Sequence, residues 1–138
     1  MELEMILCAS PTYFAQQTFP NNLNELKNHK CITSINRSID LSKIHWSFYG
    51  GKKIIKVMPN SIIEVDSLRA QIDLISLGAG IGRVPSIFVE KEIKEGTLIK
   101  VLPSIELPKS YVYLLYSNRK NLPKKLQLFI DFIKDYAF

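Results

Sequence analysis

An α/β fold is predicted by three features of the sequence. Apolar runs of strand length alternate with segments of helical period. HWSFYGGKKIIKVM (45–58) has period two and a Gly-Gly step at its middle, as a β-hairpin does. From Ser67 an amphipathic segment runs into three alternating glycines, Gly78, Gly80 and Gly82, then into a short apolar run closed by Pro85.

The elements follow in chain order. ILCAS (6–10) is a buried strand closed by Pro11, and TYFAQQ one helical turn. NNLNELKNHK has Asn21 or Asn22 as N-cap and Leu23 and Leu26 three apart, which gives a short helix. KCITSI is a strand. In the hairpin Trp46 and Phe48 alternate with polar neighbours, and Gly50-Gly51 supplies the turn. SIIEVD is a further strand, ending at Asp66-Ser67.

From Ser67 the period becomes 3.6. Leu68, Ile72 and Ile75 form one row, and Ala70, Leu74 and Leu77 the next. Arg69, Asp73 and Ser76 fall on the far side. Asp66 or Ser67 caps the start and Gly78 the end. A phosphate-binding glycine loop needs a strand before it and a helix after it. Here the order is reversed, so the glycines end a helix and admit a tight strand, IGRV. SIFVEKEIKEG is a helix from Ser86 to Gly96, and TLIKVLP a strand. YVYLLYS (111–117) is apolar on both faces, which predicts a central strand covered on both sides. The tail, with Leu122, Leu126, Phe129, Ile130, Ile133 and Ala137, is a helix capped by Asn121 with Pro123 in its first turn.

Composition bounds the function. The 138 residues suffice for one domain or two small lobes, and 46% apolar content supplies a core. The net charge is +5, but the basic residues are scattered. Their one cluster, Arg119, Lys120, Lys124 and Lys125, fits a solvated helix entrance better than a phosphate-binding patch. Two cysteines, Cys8 and Cys31, with His29 and His45, make no zinc pattern. No apolar run approaches the ~18 residues of a membrane span. The opening MELEMILCAS has acids where an export signal carries bases, so a cytoplasmic location is expected. No spacing argues for a Ser-His-Asp or Cys-His set, so no enzyme, cofactor or metal is expected.

CASPTYFAQ, NLNELKNHKCI, WSFYGG, VDSLRAQIDLISLGAGIGRVP, EGTLIKVLP and the tail YVYLLYSNRKNLPKKLQLFIDFI occur in an order and spacing that resemble the effector-binding domain of LysR-type transcriptional regulators. The resemblance implies a fold like type II periplasmic binding proteins: two α/β lobes, crossing strands and a small-molecule cleft. It implies a crossing strand from a partial first lobe over 1–9, a complete second lobe over 10–105, and a return strand and helix of the first lobe over 106–138. The family's DNA-binding domain and the opening half of its first lobe have no counterpart here. DNA contact would come only through such a domain. The tail residues Leu126, Phe129, Ile130 and Ile133 would then be incompletely covered, and self-association through the C-terminal helix is expected.

Ligands of open α/β sheets lie beyond the carboxyl ends of strands, and helix N-termini suit anions. With the resemblance, this makes Val65, Asp66 and Ser67 the foremost contacts for a small anionic effector, although Asp66 and Ser67 also serve as helix caps. Ser10 either meets the ligand or bonds the turn at Pro11. Thr33 and Ser34 end another strand, where burial against the backbone is the ordinary role. Arg83 interrupts an apolar strand: inward it would hold a carboxylate, outward it would solubilise an edge, and the outward orientation is expected. The competing readings are a transporter's solute-binding protein and a small α/β enzyme.

Overall fold

The computed structural model describes residues 1–35, 45–116 and 122–137. Nine strands occur among them: β1 (Glu2–Leu3), β2 (Met5–Ala9), β3 (Cys31–Ser34), β4 (Trp46–Gly50), β5 (Lys53–Val57), β6 (Ser61–Val65), β7 (Ile81–Pro85), β8 (Ile99–Lys100) and β9 (Ser110–Tyr111). The α-helices are α1 (Pro11–Phe14), α2 (Leu68–Ser76), α3 (Glu90–Glu95) and α4 (Lys124–Ala137), with 3₁₀ turns over Leu23–Asn28 and Ser86–Phe88.

The main sheet has the order β6-β3-β7-β2-β8. β3 runs parallel to β6 and β7, whereas β2 runs antiparallel to β7 and β8. The apolar run of β2 divides between the two faces. Ile6 and Cys8 join Ile32, Ile72, Ile75, Val84 and Leu98 under α2. Leu7 and Ala9 join Trp46, Phe48, Ile81 and Leu107 under the β4–β5 hairpin. A strand covered on both faces therefore loses the polar alternation of a half-exposed one.

α2 is set by its ends. The Ser67 hydroxyl accepts from the Ala70 N–H at 3.4 Å. At the other end Gly78 takes φ +80°. Its N–H donates to the Ile75 carbonyl, and the Ala79 N–H to the Leu74 carbonyl, which is a Schellman closure. The next two glycines serve close approach instead. A Cβ on Gly80 would lie 2.5 Å from the Lys30 carbonyl oxygen, and one on Gly82 would overlap the end of Ile75.

Residues 1–9 hold two strands, β2 inside the main sheet and β1 paired with β9. Several expectations are corrected. The hairpin turn is Gly51-Lys52, since Gly50 still pairs with Lys53. Leu77 is 79% exposed because the helix ends there. The segment after Pro85 breaks at Val89, whose φ of −131° is not helical. TLIKVLP forms only β8, because Leu102 turns to φ +50° and drops its side chain into the hairpin-side core. YVYLLYS is no covered central strand: β9 ends at Tyr111, and Leu115 is 88% exposed. Among the described residues its one strand partner is β1, which cannot cover two faces. Along α4, Leu126 and Phe129 are exposed as expected and Ile133 is half-buried, but Ile130 is buried. Asn121, Arg119 and Lys120 lie outside the described residues.

Below α1 lies a buried polar knot. Tyr13 Oη accepts from the Lys30 N–H at 3.0 Å and meets His29 Nδ1 at 3.1 Å. With its acceptor role used by Lys30, the phenol donates to Nδ1, which fixes the ring's proton on Nε2. Burial lowers the His29 pKa below the ordinary histidine value. The unfolded chain therefore takes up a proton that the fold resists. Stability is expected to fall as pH drops below about 6.5 and to level off beneath the folded pKa. Urea midpoints at pH 7.5 and 5.5 check this: His29→Asn, an acceptor that does not titrate, should shrink the difference.

Candidate functional site

Because β3, β6 and β7 are parallel, their carboxyl ends, Ser34, Val65 and Pro85, share one edge of the sheet. Ser34 pairs with Val65 in register, and the Ile35 N–H donates to the Val65 carbonyl at 2.7 Å. The chain then turns through Asp66 and Ser67 into α2, and Ser34, Asp66 and Ser67 are all exposed. The first N–H groups of α2 point out of this edge without intrahelical acceptors, and its dipole adds partial positive charge. Four of the six expected residues, Ser34, Val65, Asp66 and Ser67, are thus brought together.

Ser10 is not with them. β2 runs against β7, so its end lies at the opposite edge. There the buried Ser10 hydroxyl accepts from the Thr12 N–H at 3.3 Å and caps α1. Thr33 is buried too, but its hydroxyl meets the Ser61 hydroxyl at 2.6 Å instead of the backbone.

Arg83 corrects the expected outward orientation. It pairs with Leu7, so both side chains lie on the hairpin face of the sheet. One terminal nitrogen of Arg83 donates to the Pro108 carbonyl at 3.5 Å. Its Nε is buried and has no partner among the described residues. Burial lowers its pKa. The side chain is half-buried and one strand removed from Ser34.

Gln71, one turn into α2, is a residue the sequence reading passes over. Its Nε2 donates to the Ile32 carbonyl at 2.9 Å and reaches the Arg83 carbonyl at 3.5 Å. It therefore ties the first turn of α2 to β3 and β7. The signal was present, since 71 falls three after Leu68 and four before Ile75, on the buried row.

The described residues also line two cavities. One of about 380 Å³ lies between β2 and the 101–107 segment, and one of about 370 Å³ between Ile6 and α3. Neither touches Ser34, Asp66, Ser67 or Arg83. No group of three metal-ligating side chains occurs among the described residues. Among the described residues no helix is long and apolar enough to cross a membrane. Burial pushes the thiols of both Cys8 and Cys31 up to about 12, so each is protonated near neutrality. Labelling of the native protein by a thiol disulfide reagent is expected to be far slower than in urea. Fast native labelling of either cysteine would contradict this.

Comparison with known proteins follows the geometry. Residues 1–137 match the family described as LysR substrate binding domain. The probable HTH-type transcriptional regulator LtrA of Klebsiella pneumoniae is 24% identical over 138 residues, 98% of this chain and 44% of that protein. The HTH-type transcriptional regulator YcaN of Escherichia coli is 29% identical over 134 residues, 96% of this chain and 42% of that protein. The full-length structure of the Vibrio cholerae virulence activator AphB, a member of the LTTR protein family, superposes with a TM-score of 0.80 at 24% identity, over 100% of this chain and 46% of that one. The chain therefore spans less than half the length of these relatives, and the likeness to the solved structure establishes the α/β fold of the type II periplasmic-binding-protein kind.

Proposed function

The chain belongs to the LysR substrate binding domain family, and we propose that it is the effector-sensing part of a transcription regulator, with a small anion as the effector. The observation that carries this reading is the edge where exposed Ser34, Asp66 and Ser67, with Val65, meet the Ser67-capped N-terminus of α2. Arg83, half-buried on the hairpin face of the neighbouring strand with its Nε unpartnered among the described residues, adds an anion-seeking group. In this reading the main sheet is one lobe, β1 and β9 are the crossing pair, and a second lobe closes over the edge. Binding changes the angle between lobes only if the anion prefers the closed arrangement. DNA contact belongs to a separate helix-turn-helix domain, and the location is cytoplasmic. The names of the relatives favour this regulator over a transporter's binding protein or an enzyme.

Self-association is the second part of the proposal. Leu128, Phe129, Phe132 and Tyr136 on α4 are exposed, too much apolar surface to leave wet. Light scattering is expected to show a dimer that Leu128→Glu with Phe132→Glu disperses; a monodisperse wild-type monomer would contradict it.

A thermal-shift screen of small carboxylates, phosphate and sulfate tests the site. Saturable stabilisation by at least one anion is expected. Ser67→Asp separates capping from binding, because aspartate caps as well as serine but repels an anion. It should leave the melting temperature in buffer nearly unchanged and weaken the anion by about tenfold, a loss of about 1.4 kcal/mol. Equal affinity in Ser67→Asp would move the site elsewhere.

A further inference from the structure

The β4–β5 hairpin presents a second surface. β4 is held on its outer side, where the Tyr49 N–H donates to the Glu106 carbonyl at 2.8 Å. β5 pairs with β4 along one edge and with no other strand among the described residues. The two-residue turn makes Gly50 and Lys53 the hydrogen-bonded closing pair. Alternation then turns the N–H and C=O groups of Ile54 and Lys56 toward the open edge. Every residue from Gly50 to Lys56 is exposed, including Ile54 at 58% and Ile55 at 43%. A strand with unpaired backbone groups and exposed isoleucines is a template for strand addition.

Charge decides what can add there. Lys52, Lys53 and Lys56 line the same short segment, and none is in an ion pair among the described residues. A second copy can pair only open-edge residues with open-edge residues, Ile54 opposite Ile54 or Ile54 opposite Lys56; the first register sets Lys52 opposite Lys56 twice, and either gathers Lys52, Lys53 and Lys56 of both copies at one seam. Like charges so close destabilise a pair of strands, so the lysines guard the edge against its own kind. The same lysines complement carboxylates. We propose that the open edge of β5 docks an extended acidic segment of another protein, added as an antiparallel third strand. Its backbone bonds Ile54 and Lys56, its carboxylates lie on the outer face with Lys52 and Lys56, and its apolar residues lie on the other face beside Ile55.

Fluorescence anisotropy of the whole chain with a labelled octapeptide of alternating valine and glutamate tests the proposal. A valine-lysine octapeptide and a short single-stranded oligonucleotide are the comparison probes. Saturable binding of the acidic peptide alone is expected, weakening as salt rises. Lys52→Glu with Lys56→Glu, both at exposed positions, should reduce affinity at least tenfold. Ile54→Pro should abolish binding, since it removes an open-edge N–H while sparing the bonds to β4. Amide exchange at Ile54 and Lys56 should slow when the acidic peptide is added. Absence of binding, equal binding of the basic peptide, preference for the oligonucleotide, or unchanged affinity in either variant would overturn the proposal. So would a dimer that Ile54→Pro alone disperses, which would give the edge to a second copy.

Discussion

Gly80→Ala is expected to destabilise the fold by about 2–3 kcal/mol, lowering the melting temperature by roughly 10 °C. The cause is proximity, since no unusual backbone angle is recorded at this position. The new Cβ would stand 2.5 Å from the Lys30 carbonyl oxygen and 3.0 Å from its carbon. Those atoms belong to the backbone, so no rotamer change relieves the overlap. They are also fixed from the other side, because the Lys30 carbonyl accepts from the Ile81 N–H at 2.9 Å, where β7 enters the sheet beside β3. Separating them disturbs the register of the two strands that carry Ser34 and Arg83. Gly51→Ala is the contrast. Nothing lies within 4 Å of its would-be Cβ, but φ is +67°, so the cost is the left-handed penalty of about 1 kcal/mol. Urea denaturation of both variants checks the ranking. A Gly80→Ala protein as stable as Gly51→Ala would mean that β7 and Lys30 sit farther apart than described.

What the sequence made legible was local. The α2 boundaries followed from Ser67, a 3.6 period and Gly78, all within a dozen residues. The 3₁₀ turn after Asn22 was equally local, since Asn22 Oδ1 accepts from the Asn24 and Glu25 N–H groups. What escaped depended on pairing across long separations. Ser10 looked like a partner of Ser67 because both end strands. β2, however, runs against β7, and strand direction in a mixed sheet leaves no trace in the strand's own residues. Arg83 turned inward because it stands opposite Leu7, 76 positions away along the chain. YVYLLYS is apolar enough for a central strand, but centrality is conferred by neighbours, and among the described residues only β1 pairs with it.

Arg83→Met should reveal whether its guanidinium waits for a ligand. Methionine keeps the apolar stem that packs beside Leu7 and discards the charge. In plain buffer the variant is expected to be more stable than the parent, by about 1 kcal/mol, because an uncompensated charge no longer has to be held in the fold. The buried Nε without a partner and the long 3.5 Å contact to the Pro108 carbonyl give the parent little to lose. With a saturating anionic effector the order should invert. A hydrogen bond to a charged group is worth about 1.5–3 kcal/mol, so the variant's affinity should fall about 10- to 100-fold. The parent would gain RT ln(1 + [L]/Kd) of stability that the variant does not. Two melting curves as a function of anion concentration should therefore cross. If the variant is less stable than the parent even without ligand, the guanidinium is already satisfied and its role is structural. If the curves stay parallel, the anion binds without Arg83, and the edge at Ser67 acts alone.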